Sequence, residues 1–447
     1  MPIDAEFGAR RETFRNAMGR GVALFPSTPV AIRNNDVEHE YRQDSDLYYL
    51  TGFDEPYSLL LLTTEHAEHR TVLFVRPRDP ERETWDGPRA GIEGALQRFG
   101  ADAAYPIAEL SKHLPEYLKD VRRLHYRFGA DREFDATVLA AIAAVRGKAK
   151  LGIAAPREIV DPSALLHEMR LRKSPGEIET MLRAAAITAR AHARAMQVAR
   201  PGRFEYEVEA EILRIFRAHG AERPAYGSIV GSGPNATVLH HRRNDRRMQD
   251  GELLLIDAGA EFGYYACDVT RTFPINGCFS PEQRALYQVV LDAQLASIAA
   301  VRPGVTVPDV HAEAVKVLVR GLIAHGLIEG PEARALEEES YKPYYMHRTS
   351  HWLGMDVHDV GDYFVDKRPR PLEPGFVLTV EPGLYVAPGS ACDPRWHGIG
   401  IRIEDDVLVT PDAGRVLTAI IPKTIEDLER LLAERRPADP NGADPRH

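Results

Sequence analysis

The chain has 447 residues, 44% of them hydrophobic, which excludes a disordered or fibrous protein and predicts two or three folded domains with sizeable cores. Its 56 Lys and Arg against 66 Asp and Glu give a formal net charge of −10; with no basic excess to release counterions from phosphates, neither nucleic acid nor an anionic membrane is an expected partner. Cys267, Cys278 and Cys392 are too few and too widely spaced for a disulfide framework or a thiolate metal cage, which favours a reducing compartment.

In chain order, the amino terminus (Met1 to Glu6) lacks a basic segment followed by an apolar core, and no stretch approaches the roughly 18 apolar residues of a spanning helix, so a cytoplasmic location is expected. The first third reads as an α/β domain spanning 1–172. Tyr57 to Thr63 (YSLLLLT) and Thr71 to Val75 (TVLFV) have buried-strand length, and the Ala-rich stretch Asp135 to Val145 is helix-like. A boundary is expected near Arg172, because Ser174, Pro175 and Glu177 stand in the order N-cap, first and third helical residue of a capping box. Ile178, Met181, Leu182 and Ala185 then recur on one face of a long helix that stops before Pro201 and Gly202.

The second domain, 173–434, carries an internal echo. Arg200-Pro201-Gly202 leads into a helix expected over Tyr206 to Arg217 and closing at Ala218-His219-Gly220. Arg302-Pro303-Gly304 leads into another over Val307 to Ile323, closing at Ala324-His325-Gly326. A period of about 100 residues is too long for a solenoid unit and predicts two similar halves facing one another, with chance likeness of two short motifs as the alternative. The polar, Pro-rich end 435–447 is expected to be disordered.

Within that domain, Leu253 to Asp257 (LLLID) reads as a buried strand ending in an acid. Gly259 and Gly263 permit a turn, and Tyr264 to Thr272 (YYACDVTRT) reads as the partner strand, which brings Asp257 and Asp268 together across a hairpin. Two carboxylates buried side by side are costly unless paired, and a divalent cation removes that cost. The alternative is a turn-capping Asp257 and a solvent-facing Asp268. His347, His351 and His358 fall within twelve residues of MHRTSHWLGMDVHDVG, a density that points to a site, although the HExxH order of a zincin is absent. Phe376 to Val380 (FVLTV) is another buried strand ending in an acid, Glu381. Ile401 to Glu404 (IRIE) alternates, so Arg402 and Glu404 share one face, a solvated face being the alternative. Jointly, Asp257, Asp268, His351, Glu381 and Glu404 form a hard, oxygen-rich ligand set without thiolate, suited to a pair of divalent ions such as manganese and less to a structural zinc. Two ions a few ångströms apart share bridging carboxylates and a bridging hydroxide, and stabilise both attack and departure of oxygen or nitrogen groups.

These residues carry a resemblance. The chain resembles the Xaa-Pro aminopeptidases (aminopeptidase P), metallopeptidases of the pita-bread fold that methionine aminopeptidase and prolidase share. The matching stretches are YRQDSDLYYLTGF from Tyr41, IVGSGPNATVLHH from Ile229, LLLIDAGAEFGYYACDVTRTFPING from Leu253, SHWLGMDVHDVG from Ser350, TVEPGLYV from Thr379 and GIRIEDDVLVT from Gly400. The resemblance implies an α/β (α+β) chain in which an amino-terminal domain precedes a pita-bread catalytic domain. It implies that Asp257 chelates one metal, His351 and Glu381 the other, and that Asp268 and Glu404 bridge them; Mn2+ is the expected ion, with Co2+ or Zn2+ as alternatives. Glu381 would also carry a proton, His240 and His358 would contact substrate and the tetrahedral intermediate, and Arg402 would support the site. His347, Tyr385 and Trp85 would be pocket residues. A dimer or tetramer is common among such proteins.

Two departures stand out. The family often has HYTEN where this chain reads His240-His241-Arg242-Arg243-Asn244, making the surroundings of His240 more cationic. Cys267 stands beside Asp268 where a small residue is common; neighbouring strand residues point to opposite faces, so it is expected in the core rather than on a metal.

The implied target explains the machinery. An Xaa-Pro bond is a tertiary amide without an N–H to hold, and its ring nitrogen must be protonated as the bond breaks. The expected reaction is removal of the first residue from peptides with proline second, by attack of a metal-bridging hydroxide. The nearest alternative is prolidase, restricted to dipeptides. A non-catalytic pita-bread peptide-binding protein or a metal-free creatinase-like enzyme is disfavoured by the complete ligand set.

Overall fold

The computed structural model describes residues 6–435. The tail expected to be disordered lies, apart from Arg435, outside the described residues. Among those described, no helix is long and apolar enough to cross a membrane. The chain divides into two compact units between Arg170 and Leu171.

The first unit is built on a six-stranded mixed sheet in the order Ala103–Pro106, Thr71–Val75, Leu59–Thr63, Val22–Pro26, Arg123–His125, Glu158–Val160. The three inner strands pair antiparallel and the outer ones join in parallel. Leu59–Thr63 and Thr71–Val75 are buried at every position, as continuous apolar runs in a covered sheet require. Tyr57 stays outside the strand, 54% exposed at φ 55°. The Ala-rich helix runs Arg132–Arg146 and is capped by Asp131, whose carboxylate accepts from the N–H groups of Glu133 and Phe134.

The segment YRQDSDLYYLTGF serves as scaffold here. Gln43 is buried, accepting from the Asp44 N–H at 2.8 Å and donating to the Glu55 carbonyl at 2.9 Å. Asp44 caps helix Ser45–Thr51 through the Leu47 N–H at 2.9 Å. Burial alone would raise the Asp46 carboxyl, yet His167 and Arg170 pull it down to about 2. Trp85 lies on the helix Pro80–Asp86 of this unit and is 86% exposed.

The second unit has the expected two halves. Helix Pro175–Val198 packs on Glu205–Ala218, and Pro281–Ala300 packs on Val307–Ala324. The echo reaches further back than the Arg-Pro-Gly motifs, since both leading helices open on a serine capping box with proline at the first position, Ser174-Pro175 and Ser280-Pro281. Gly202 at φ 91° and Gly304 at φ 86° occupy the left-handed region at equivalent turns, where a side chain would be strained.

In the first half, Leu253–Asp257 lies between Ile229–Ser232 and Thr270–Pro274, both antiparallel, with Asp257 opposite Thr270. The expected hairpin is thereby corrected. Ala260–Phe262 and Tyr265–Ala266 form a small hairpin of their own, and Asp268 sits on the connection into Thr270–Pro274 rather than on a strand. The cause is a close backbone crossing at Gly259, where a Cβ would lie 1.6 Å from the Cys267 carbonyl oxygen. In the second half, Val377–Val380 pairs with Asp405–Val409 and Gly383–Val386 with Ile399–Arg402. Apolar faces of both helix pairs meet Ile256, Ile401 and Ile403 in one core, leaving the polar residues of those strand ends on the opposite side.

Candidate metal centre and active site

Both halves deliver acids to one place. The histidine-bearing loop runs alongside the strand that ends in Glu381: the Leu353 N–H donates to the Val377 carbonyl at 3.0 Å, the Thr379 N–H to His351 at 3.0 Å and the Glu381 N–H to Thr349 at 2.8 Å. That ladder sets His351 beside Glu381. The halves join where the Glu404 N–H donates to the Thr270 carbonyl at 3.1 Å and the Thr272 hydroxyl to the Arg402 carbonyl at 3.0 Å.

The result is a cleft of about 850 Å³ whose lining includes Asp257, Asp268, His351, Glu381 and Glu404, together with His240, His347, His358 and Arg402. Ligand atoms of Asp268, His351 and Glu404 all lie within 4.8 Å of one another. His351 Nε2 is 3.4 Å from Asp268 and 3.6 Å from Glu381. His351 Nδ1 sits 3.0 Å from the Trp352 carbonyl and donates to it, which leaves Nε2 as the ring nitrogen facing the carboxylates. Arg402 and Glu404 are 3% and 2% exposed, so the solvated-face alternative for IRIE is excluded.

The chain's own cations leave this cluster short of positive charge. Arg402 is committed within the cluster, donating to Asp257 Oδ2 at 2.6 Å, to the Thr270 hydroxyl at 3.0 Å and to the Tyr385 hydroxyl at 3.0 Å. Thr270 passes its proton to Glu404 at 2.7 Å. Burial, followed by repulsion from Asp268, Glu381 and Asp257, pushes Glu404 well above the carboxylate range. Burial also raises Asp257 against the pull of Arg402, and raises Glu381 to about 7 against His351 and Arg402. For His351, burial is overcome by Asp268 and Glu381, which lift it to about 9. A buried set of oxygens and one imidazole nitrogen, held apart from protonation only by added positive charge, is the donor set of a hard divalent cation.

Two further histidines of the cleft, His347 and His358, are pushed towards the neutral form. His347 is driven to about 3 by burial and then by Arg402. Its Nδ1 donates to the Arg348 carbonyl at 2.8 Å, so its Nε2 accepts from the Tyr385 hydroxyl at 2.8 Å. His358 is lowered by burial and by His351, whose ring it meets edge-on at 4.5 Å. Trp85 is outside this lining, which consists wholly of second-unit residues. Cys267 is fully buried in an apolar cluster with Ala184, Val269 and Ile421.

Sequence reasoning missed Tyr226. Its hydroxyl lies 2.5 Å from Asp257 and also contacts Asp268, and burial keeps it protonated. It stands in an irregular stretch after Ala225 with no periodicity to flag it. Glu205 was missed too: fully buried, it accepts from Ser232, Asn235, His241 and the Arg246 N–H and so fixes the segment that carries His240.

Comparison with known proteins identifies the family. Residues 179–411 match the model of metallopeptidase family M24, and residues 7–126 match the aminopeptidase P N-terminal domain. The chain therefore belongs to metallopeptidase family M24. Within that family it falls among the Xaa-Pro aminopeptidases, metal-dependent peptidases with this two-part architecture. It is 42% identical to the Xaa-Pro aminopeptidase of Escherichia coli over 96% of its length and 98% of that protein. A solved aminopeptidase from Pseudomonas aeruginosa superposes with a TM-score of 0.95 at 49% identity, covering 97% of this chain and 98% of that one. A zinc-substituted E. coli aminopeptidase P in complex with product superposes at 0.94 with 42% identity, covering 97% and 99% of the two chains.

Proposed function

We propose that the cleft removes the first residue from peptides whose second residue is proline, using two divalent ions, Mn2+ in the cell, in a cytoplasmic homo-oligomer. The observation that carries the metal part is the convergence of Asp268, His351 and Glu404 atoms within 4.8 Å in a buried, anion-rich site. Asp257 would hold one ion, His351 and Glu381 the other, and Asp268 and Glu404 would be shared between them. When bound, such ions supply Lewis acidity, making water acidic enough to attack near neutral pH and polarising the scissile carbonyl.

The chain's own residues do the rest. Glu381, at the end of its strand beside His351, takes the proton of the attacking water and hands it to the proline nitrogen, which cannot leave unprotonated. His358 and His240 hydrogen-bond the carbonyl oxygen as it gains charge. Arg402 holds Asp257 in place and aligns Tyr385, which in turn fixes the His347 ring on the pocket wall. The carboxylate-rich floor suits the substrate's protonated amino terminus.

Purified protein reloaded with Mn2+ should release the first residue from Xaa-Pro-Xaa tripeptides with a higher kcat/KM than from the matching dipeptides, and should spare amino-blocked peptides. Efficient cleavage of dipeptides with intact tripeptides would make it a prolidase. His358→Ala should lower turnover by roughly 10²-fold with metal content unchanged, whereas loss of metal would make His358 a ligand instead.

A further inference from the structure

After His240, the departure at His241-Arg242-Arg243 is not used by the chemistry above, and its residues have separate fates. His241 turns inward to Glu205 at 3.0 Å, and Arg243 pairs with Asp245 at 2.9 Å. Arg242 lines the cleft and packs its stem over Gly227, next to Tyr226. Arg348, beside His347, lines the same cleft. Both are exposed, and among the described residues neither has a carboxylate partner within 4.0 Å.

The cleft is therefore polar along its length. Its floor carries Asp257, Asp268 and Glu404, all buried, and the partly buried Glu381, with Arg402 committed to Asp257. Its exposed mouth carries two uncommitted guanidinium groups against the single carboxylate of Asp362. A peptide whose amino terminus lies on the floor must leave through that mouth, so its downstream part passes the arginines. Guanidinium pairs with carboxylate through parallel N–H donors, and a mouth open to water still gains from such charge-assisted bonds.

Resting on the peptidase reading above, we infer that Arg242 and Arg348 make this enzyme select substrates bearing a carboxylate just downstream of the proline. Two sources offer that chemistry: the free carboxy terminus of a short peptide, and an acidic side chain in a longer one.

Two peptide pairs separate them. Ala-Pro-Ala against its carboxy-terminal amide tests the terminal carboxylate. Ala-Pro-Asp-Ala amide against Ala-Pro-Asn-Ala amide tests the side chain. In the Mn2+-loaded wild-type protein at low salt, at least one pair should differ in kcat/KM by about tenfold in favour of the acid, the scale of one charge-assisted contact. The ratio should fall towards one in the Arg242→Thr, Arg348→Gln double variant, through loss on the acid, and should shrink with added salt in the wild type. A preference in the first pair alone assigns the terminal carboxylate, and in the second alone the acidic side chain. Ratios near one for both pairs, or a preference that survives both the variant and high salt, overturn the inference while leaving the peptidase reading intact. Failure of the wild-type protein to cleave any of the four peptides would overturn that reading itself.

Discussion

Glu404 and Asp405 are neighbours in sequence, both buried, and they meet opposite electrostatic fates. Asp405 is served from within the chain: Arg271 donates to it at 2.8 Å, Thr418 at 2.7 Å, Gln294 at 2.8 Å and Lys423 at 2.7 Å. Burial alone would raise its pKa, yet Arg271 and Lys423 hold it down at about 2. Glu404, just before the strand Asp405–Val409, faces Asp268 and Glu381, and burial and those anions drive it the other way. Arg271 also donates to the Glu404 and Thr270 carbonyls, at 2.6 and 2.9 Å. One guanidinium thus neutralises the structural acid and fixes the backbone of the functional one. The acid that holds the fold carries its cations with it, whereas among the described residues Glu404 has no such cation of its own, as the proposed metal site requires.

The sharpest way to break this contrast is at Glu404. On the proposed two-ion reading, Glu404→Gln should lower turnover by roughly 10³-fold or more and reduce bound metal at both ions, since a shared ligand would serve two. The metal-free variant should be no less stable than metal-free wild type at neutral pH, because an amide carries none of the burial and repulsion cost of ionising that carboxyl. Elemental analysis beside urea unfolding reads both. Full metal occupancy with full activity would take Glu404 out of the site.

Asp405→Asn should do the reverse. Stripped of its carboxylate, the pocket leaves Arg271 and Lys423 buried with uncompensated charge, and stability should fall by about 3–5 kcal/mol in urea, with metal or without. A loss seen only in the metal-loaded protein would place Asp405 in the functional cluster.

The pH dependence of stability separates the two kinds of acid in the unmutated chain. In the metal-free protein Glu381 sits at about 7 against an ordinary 4.5, so its proton favours the folded state below about 4.5, and that contribution is lost as pH rises to 7. Asp405 has the opposite sign: its contribution is present above 3.8 and lost only as pH falls towards 2. Metal-free protein should therefore lose on the order of 1 kcal/mol per pH unit between about 5 and 7, while saturating Mn2+ removes or inverts that slope. Parallel slopes with and without metal would show that the site acids already have their counter-charge.

Legibility in the sequence follows the same division. Asp257, Glu381 and Glu404 stand at or just beyond the ends of apolar runs, and the Ser-Pro capping boxes and Arg-Pro-Gly turns mark the helix pairs, because all of these are local signals. The Arg271–Asp405 pair spans 134 residues and the Arg402–Asp257 pair 145, so no local period announces them. The position of Asp268 off the strand depends on the backbone crossing at Gly259, a contact between segments that sequence alone does not bring together. YRQDSDLYYLTGF was legible as a signature, but its work in organising a turn and a helix cap emerges only from the bonds of Gln43 and Asp44.

The mildest test lies at Cys267, one residue from Asp268. If the close crossing at Gly259 really turns these two side chains apart, the thiol is core and the carboxylate is site. Cys267 packs against Ala184, Ala185, Val269 and Ile421, and burial, then the nearby Asp406, pushes its thiol well above the ordinary range, so it is no thiolate and no metal ligand at neutral pH. Cys267→Ala removes one sulfur from a close-packed apolar cluster and should cost about 1 kcal/mol of stability. Metal stoichiometry and affinity should stay as in the wild type, because nothing on the site side of the chain has changed. A drop in metal affinity without a matching drop in metal-free stability would mean that the backbone at Cys267, rather than the Asp268 carboxylate alone, sets the geometry of the centre.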